Sequence, residues 1–383
     1  MRILVLNYEF PPLGGGAAPV AYSIAKELVK KGNQVDVVTM GFKGLPKHEK
    51  KDGINIYRVR CLRKSKATCN SFEMMTYVVH AFFFCRRLLK ENKKKNIKYD
   101  LNHTHFIIPT GVVSYLLKKL YGLPYIITSH GSDVPGYNPD RFQLQHILLR
   151  PFWKRIIRNS ERIITPSDYL QDLIKKSIDL KKTDSIKTIP NGVYLNSFKP
   201  GKKKKSILMV SRLVPRKGFQ HVIKAMQGTG IDRKYEINIV GDGPMLNELK
   251  KLSKELNVKI KFWGWLDNNS KEIKKLYAES SIYILPSSKE NSSIALLEAM
   301  AAKMAIITTN ISGCPETVGD AAILVRPESP EDIRNALLKI TNDEALEKSL
   351  QEKAYKRVSE NFTWQIIAER YLKEYKSILK IKS

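Results

Sequence analysis

Ile282-Tyr-Ile-Leu-Pro-Ser-Ser-Lys-Glu-Asn-Ser-Ser-Ile-Ala-Leu-Leu-Glu-Ala-Met-Ala301 runs from β-branched and aromatic residues, through a Ser-rich loop, into strong helix formers. The spacing predicts a strand over 282–285 and a helix over 294–302. A loop between them delivers backbone N–H groups at a helix N-terminus. Unpaired donors and the positive end of the macrodipole suit a phosphate there, with Ser292 or Ser293 as the expected cap. Glu290 precedes the helix and Glu298 lies about five residues into it, roughly 7.5 Å along the axis at ~1.5 Å per residue. One ligand can meet both carboxylates through its hydroxyls while its phosphates rest on the amides, as a sugar nucleotide requires. The spacing alone also suits a solvated loop glutamate beside an ordinary surface helix.

Outward from this stretch the same strand-then-helix alternation covers the chain. Residues 2–8 read as a buried strand, Gly14-Gly-Gly16 as a loop, and 18–31 as a helix with Val20, Ile24, Leu28 and Val29 on one face. Strand-like runs recur at 34–39, 54–59, 101–105, 125–129 and 162–166, mostly separated by helical patterns, which argues for a parallel sheet covered on both faces. A second set follows at 206–212, 236–241, 259–263, 282–285, 305–309 and 322–326. Between the sets lie Pro190-Asn-Gly192 and Pro200-Gly-Lys-Lys-Lys-Lys205, a turn-rich and then charged linker. The expected fold class is α/β, two Rossmann-like domains facing a central cleft, with ligands at the carboxyl ends of the strands. We expect one domain over 1–198, a second over 199–360, and a final helical segment over 361–383.

Several segments in order resemble the retaining glycosyltransferases of family 4, which have the GT-B fold. Glu290 and Glu298 match that family's Glu-x7-Glu signature, and Ser211-Arg-Leu-Val-Pro-Arg-Lys-Gly218 its Arg-Leu-x-x-x-Lys-Gly segment. Gly241-Asp-Gly-Pro244 resembles its Gly-x-Gly-Pro turn, Pro190-Asn-Gly-Val193 the loop before its second domain, and Pro11-Pro-Leu-Gly-Gly-Gly16 its first glycine-rich loop. Two departures stand out. The usual Gly-Phe-Gly after the first glutamate is Asn291-Ser-Ser293, and the usual Gly-x-Pro after the helix is Lys303-Met-Ala305, which removes the C-cap glycine.

Arg212 and Lys217 are expected to converge on a diphosphate, Arg as a planar fork and Lys as a point charge. Charge grows on the β-phosphate as the glycosidic bond breaks, so fixed cations there favour the transition state. Arg216 competes for the role as a surface residue, and the family segment favours the other two. His130, in Thr128-Ser-His-Gly-Ser-Asp133, ends a strand; the resemblance implies that it faces the donor sugar. Asp133 either faces the acceptor or caps the next element. His103 and His105 alternate on one strand and share a face, which without a further ligand reads as core edge and not as a metal site. The resemblance assigns Glu290 to a donor-sugar hydroxyl and Glu298 to the ribose. The donor-binding set is Gly15, Gly16, Gly243, Asn291, Ser292, Ser293, Ile294 and Glu298. Paired carboxylates also serve glycoside hydrolysis, but a hydrolase has no diphosphate for the Arg, Lys and glycine loops to hold.

The chain has 383 residues, enough for two domains that each bury a core, and a formal net charge of +29. That excess favours an anionic partner or surface. No recognition motif or aromatic-basic stripe accompanies it, so nucleic acid is not an expected partner. Cys61, Cys69, Cys85 and Cys314 form no Cys-x-x-Cys pair, and the first strand begins at once, so a cytoplasmic protein without disulfides, zinc or signal peptide is expected. Residues 74–89 combine a dozen apolar positions with Arg86, Arg87 and Lys90; they read as a core helix, or as an element that meets anionic lipid.

The expected function is retaining transfer of a hexose-type sugar from a UDP- or GDP-sugar to a glycan, with a lipid-linked glycan as the expected acceptor in cell-surface polysaccharide or glycolipid synthesis. No metal or other cofactor is expected. An anionic membrane surface is a candidate partner, which would make the protein peripheral on the inner face of the cell membrane. The alternative is a GT-B module that binds sugar nucleotide or glycan without turnover.

Overall fold

A computed structural model describes residues 1–137, 147–178 and 185–380. Two compact units emerge: Met1–Pro190 with the segment from Trp364 onward, and Asn191–Thr363. The division precedes the charged linker expected at 198/199. Asn191 already bonds Ser292, the Val193 N–H donates to Phe362 O at 2.8 Å, and Phe198 is buried in the second core.

The first unit carries a sheet of β1 (Arg2–Leu6), β2 (Gln34–Met40), β3 (His48–Lys51), β4 (Ile54–Val59), β5 (Leu101–His105), β6 (Tyr125–Thr128), β7 (Arg162–Thr165) and β8 (Ile186–Thr188). Their order is β3-β4-β2-β1-β5-β6-β7-β8, and every ladder but β3 with β4 is parallel. β1 and β6 are mostly apolar because helices cover both faces, whereas central β5, Leu-Asn-His-Thr-His, is polar and yet buried. The two edge strands were not foreseen. β3 is His-Glu-Lys-Lys, too polar to stand out, and β8 has three residues. Charge on an edge also discourages pairing with other chains.

Helices α1 (Ala17–Lys30), α2 (Ser71–Lys94), α3 (Thr110–Tyr121), α4 (Arg150–Asn159) and α5 (Asp168–Ser177) complete the alternation. Tyr77, Ala81 and Cys85 of α2 pack with Val113 and Leu117 of α3, while Tyr115 of α3 packs with Trp153 and Ile156 of α4. The C-terminal helix Trp364–Leu379 belongs to this unit, held by ion pairs Lys31–Glu369 (2.7 Å) and Arg162–Glu374 (2.9 Å). Its Tyr371 and Tyr375 are fully buried.

In the second unit β9 (Lys204–Val210), β10 (Glu236–Val240), β11 (Lys261–Phe262), β12 (Ser280–Leu285), β13 (Ala305–Thr309) and β14 (Ala322–Val325) run parallel in the order β11-β10-β9-β12-β13-β14. In both sheets the chain starts in the middle and later returns to the other side of its first strand. The order therefore reverses at β1/β5 and at β9/β12, and loops leaving those carboxyl ends splay apart to leave a crevice. Those loops contain the residues singled out above.

Candidate active site

In the second unit β9 ends at Val210 and leads through Ser211 and Arg212 to a 3-10 turn, Pro215–Lys217. Gly218 follows with φ +75°, and a Cβ there would lie 2.2 Å from Pro286 O. Only glycine lets this backbone press on the loop after β12. The contact is locked by the Ser288 N–H and Ser287 hydroxyl, which donate to Arg216 O at 2.8 and 3.0 Å, and by the Arg216 guanidinium, which donates to Lys289 O at 3.2 Å. Arg216 thus works as a clasp between loops. The loop after β10 joins on the other side: a Cβ on Gly243 would lie 2.3 Å from Leu213 O, and the Leu213 N–H donates to Asp242 O at 2.9 Å.

These three locked loops orient the charged groups. Lys217 Nζ pairs with a Glu290 carboxylate oxygen, and the two side chains are only 13% and 10% exposed. Little water screens a pair so enclosed, so each charge holds the other in place. Arg212 is exposed at the same strand end. The Gly313 N–H donates to Glu290 O at 3.1 Å and fixes the loop from behind.

Helix α9 (Ile294–Ala301; within the second unit α6, α7 and α8 are Phe219–Met226, Leu246–Glu255 and Lys271–Glu279) begins where expected. The expected hydroxyl cap is not formed. Ser293 occupies the N-cap position without a side-chain cap bond, while the Ser292 hydroxyl accepts from the Asn191 N–H at 3.1 Å and Ser292 O from Asn191 Nδ2 at 2.7 Å. The N-cap side chain thus leaves the first-turn amides to other partners, and an anion is one that suits them. Asn291 and Ser292 are buried, and Ile294 is half-buried at the first helical position.

Glu298 is buried inside α9 at 6% exposure and accepts from the Tyr277 hydroxyl at 2.9 Å. Burial pushes its carboxyl up to about 7, with the Tyr277 bond opposing. Tyr277, on α8, escaped the sequence reading, since a helical tyrosine carries no signal of a partner on another helix.

In the first unit the glycine loop lies between β1 and α1. Gly14 donates to Lys66 O at 2.8 Å, and the Gly15 N–H, expected to point at a ligand, donates to Glu9 Oε2 at 3.1 Å. Gly16 is the N-cap residue of α1, and a Cβ at Gly15 or Gly16 would meet nothing within 4 Å. The side facing out is open.

His130, just beyond β6, does not act alone. Its Nε2 lies 3.0 Å from His105 Nδ1, and the two rings stack with centroids 5.2 Å apart. His103, two residues before His105, sits between the Thr128 hydroxyl (2.8 Å from Nε2) and the Tyr375 hydroxyl (2.7 Å from Nδ1). Burial pushes His103 and His130 down to about 3 and His105 well below the usual range, with neighbouring histidines adding to the effect for His103 and His105. All three are neutral at pH 7, so one of His105 and His130 donates to the other and their tautomers are coupled. His105, read as core edge, therefore touches the candidate site. The register His105↔Thr128 brings it there, and no spacing within one strand reveals that pairing.

The Asp133 carboxylate binds the loops around it and not a following element. Its carboxylate accepts from the N–H groups of Ile107, His130 and Gly131 at 2.8, 3.1 and 3.0 Å and from the Ser129 hydroxyl at 3.0 Å. Oδ1 serves the loop that holds His130, and Oδ2 ties it to the loop after β5.

Comparison with known proteins follows the same geometry. The profile for glycosyltransferase family 4 matches residues 14–197, and that for glycosyl transferases group 1 matches residues 194–357. The chain belongs to the group 1 glycosyltransferases of family 4. Among its relatives is the N-acetyl-alpha-D-glucosaminyl L-malate synthase of Bacillus anthracis, 24% identical over 96% of both chains. Another is the UDP-Gal:alpha-D-GlcNAc-diphosphoundecaprenol alpha-1,3-galactosyltransferase of Escherichia coli, 28% identical over 70% of this chain and 76% of that one. The sucrose-phosphate synthase of Thermosynechococcus elongatus superposes over the whole of both chains with TM-score 0.81 at 19% identity, which establishes the GT-B fold. This family 4 glycosyltransferase accordingly moves a sugar from a nucleotide sugar. No helix among its described residues is long and apolar enough to cross a membrane.

Proposed function

We propose that the enzyme transfers a hexose or N-acetylhexosamine residue, with retention, from a UDP- or GDP-sugar to a lipid-linked glycan. The observation that carries this reading is the enclosed Lys217–Glu290 pair beside the uncapped start of α9, at the carboxyl end of the β9/β12 reversal. In this reading the diphosphate lies on the α9 amides and on Arg212 and Lys217. Their charge offsets what develops on the leaving β-phosphate, so they act on the transition state more than on the ground state. Glu290 accepts a hydroxyl of the donor sugar and keeps Lys217 aimed. Glu298 accepts the ribose hydroxyls in place of Tyr277. Gly243 keeps the Arg212 loop in register, and Asn291, Ser292, Ser293 and Ile294 shape the phosphate seat. Neutral His130, oriented by His105, offers a hydrogen bond to the donor sugar, with Gly15 and Gly16 leaving the neighbouring surface open. The fixed cations make a divalent ion unnecessary.

A panel of labelled UDP- and GDP-sugars, assayed for donor hydrolysis and for transfer to lipid-linked and free glycans, tests the proposal. One donor should be turned over, with and without chelator. Tight donor binding with no turnover on any acceptor would favour the binding-only alternative.

A further inference from the structure

The outer face of α2 is apolar for about three turns and basic for about two more. Phe72, Met75, Val79 and Phe83 recur at helical spacing and are 68, 58, 48 and 59% exposed. Arg86, Lys90 and Lys94 continue the same stripe. Leu62, 59% exposed, is placed beside it by its N–H bond to the Thr76 hydroxyl (3.2 Å). Hydrophobic burial does not account for this stripe, because the opposite face of α2 supplies Tyr77, Val78, Ala81 and Cys85 to the core.

The surrounding layer repeats the pattern. Arg86 donates to the Tyr121 hydroxyl at 3.2 Å at the end of α3, where Leu120 is 58% exposed and Lys118 and Lys119 adjoin. On α4, Phe152 is 42% exposed and meets Tyr115 edge-on, and Arg150, Lys154, Arg155 and Arg158 stand on the same helix without one acidic residue. Among the described residues the acids of these helices and their ends are engaged: Glu73 closes the capping box at Asn70, Glu91 lies 3.5 Å from Arg87, and Glu161 pairs with Lys118. Apolar side chains ringed by an excess of cations over acids fit a surface that is oily below and anionic above.

We propose that the α2–α3–α4 layer docks this enzyme on an anionic lipid bilayer, with Phe72, Met75, Val79 and Phe83 entering the headgroup region and the lysines and arginines meeting lipid phosphates. The inference rests on the lipid-linked acceptor proposed above and deepens it by naming the surface that reaches the lipid. A protein partner would call for a shaped groove; this face is a convex helix with long cations, suited to a fluid surface.

Co-sedimentation of the full chain with vesicles of phosphatidylcholine alone, or mixed with phosphatidylglycerol, tests it. Binding should require phosphatidylglycerol and weaken on going from low to physiological salt. Phe72→Ser/Phe83→Ser should lower partitioning by about tenfold or more, since two exposed aromatics would each bury a large apolar area in the bilayer. Because both side chains are already exposed, the variant should keep the circular dichroism of the wild type. A Phe83→Trp variant should blue-shift on anionic vesicles and be quenched by brominated lipid. Wild type that ignores anionic vesicles at low salt, a folded double variant that binds like wild type, or a Phe72- and Phe83-dependent dimer by sedimentation would each overturn the proposal. Donor hydrolysis in the double variant, without vesicles, should equal that of wild type. Vesicle binding without donor turnover would refute the proposed function and leave the docking surface standing.

Discussion

The two units put their chemistry at the same topological place and make it from opposite materials. At the β9/β12 reversal the groups are charged: Arg212, and Lys217 paired with Glu290. Within β5 and just beyond β6 they are neutral rings, His103, His105 and His130, whose burial suppresses protonation. Enclosure serves both. In the second unit it strengthens a charge pair beside the start of α9, and in the first it keeps imidazoles uncharged so that they offer directed hydrogen bonds. The difference teaches that a shared fold constrains where a site lies, while the neighbours of each strand end decide which charge state it has.

The largest expected effect separates two cations that one sequence segment presents together. Arg212→Ala and Lys217→Ala should each lower turnover by several hundredfold or more, on the scale of the 2.7–4 kcal/mol lost with one transition-state donor. Their stabilities should differ. Arg212 is exposed, so its loss should lower melting less than that of Lys217, whose replacement by Ala leaves a carboxylate nearly enclosed without its partner and should destabilise the fold. Calorimetry with steady-state kinetics reads both. Near-normal turnover in either folded variant would place the diphosphate elsewhere.

Acid should then divide the units. The three histidines titrate well below 6.5 when folded and near 6.5 when unfolded, so from about 6.5 downward the unfolded chain holds more protons and stability falls with pH. Each contributes a slope of up to about 1.4 kcal/mol per pH unit. Glu298 acts oppositely. Its folded value of about 7 lies above the ordinary 4.5, so the folded chain retains a proton that the unfolded chain has lost, and stability falls as pH rises from about 4.5 to 7. Hydrogen exchange at pH 5 and pH 7.5 should show the first unit losing protection in acid while the second keeps it. His105→Asn should flatten the first slope. Protection falling equally in both units would mean that the imidazoles are not the acid-labile element.

A narrower contrast lies between the two glutamates of α9 and its loop. Glu298→Gln should abolish the second unit's loss of stability between pH 4.5 and 7, because the acid whose burial raises it to about 7 is gone. It should also weaken nucleotide binding, seen in KM, whereas Glu290→Gln should act mainly on kcat as the partner of the reacting sugar. Equal effects confined to KM would remove Glu290 from the chemical step.

Much of this was legible in the sequence where the signal is local. The strand, loop and helix around Glu290 and the segment from Arg212 to Gly218 are written in contiguous residues, and their elements form within a residue or two. What escaped depends on neighbours distant in sequence. His105 meets His130 because β5 pairs with β6, Tyr277 meets Glu298 across two helices, and Asn191 takes the hydroxyl of the expected cap. Residues 74–89 read as core or as a lipid-facing element, and the two faces of the helix Ser71–Lys94 that holds them differ: Tyr77 and Cys85 are buried, Phe72 and Phe83 exposed. Composition alone does not separate faces when both are apolar.

The smallest expected effect compares two helix ends. Helix α3 stops at Gly122 with φ +67°, a left-handed residue that suits glycine, and Gly122 N donates back to Lys118 O at 2.9 Å. Helix α9 stops at Lys303 with φ +60°, while Met304 N donates to Ala299 O at 3.1 Å. The backbone closes the same kind of C-terminal turn at both ends, although the second has lost its glycine. A side chain in that conformation costs about 1–2 kcal/mol. Glycine removes the cost but gives the unfolded chain more freedom, and the exposed Lys303–Glu352 pair contributes little. Lys303→Gly should therefore stabilise the second unit by about 0.5–1 kcal/mol, or roughly 1–4 °C in Tm. Gly122→Lys should destabilise the first unit by a similar amount. Scanning calorimetry of both variants checks the pair, and a destabilised Lys303→Gly would show that the Glu352 pair outweighs the backbone strain.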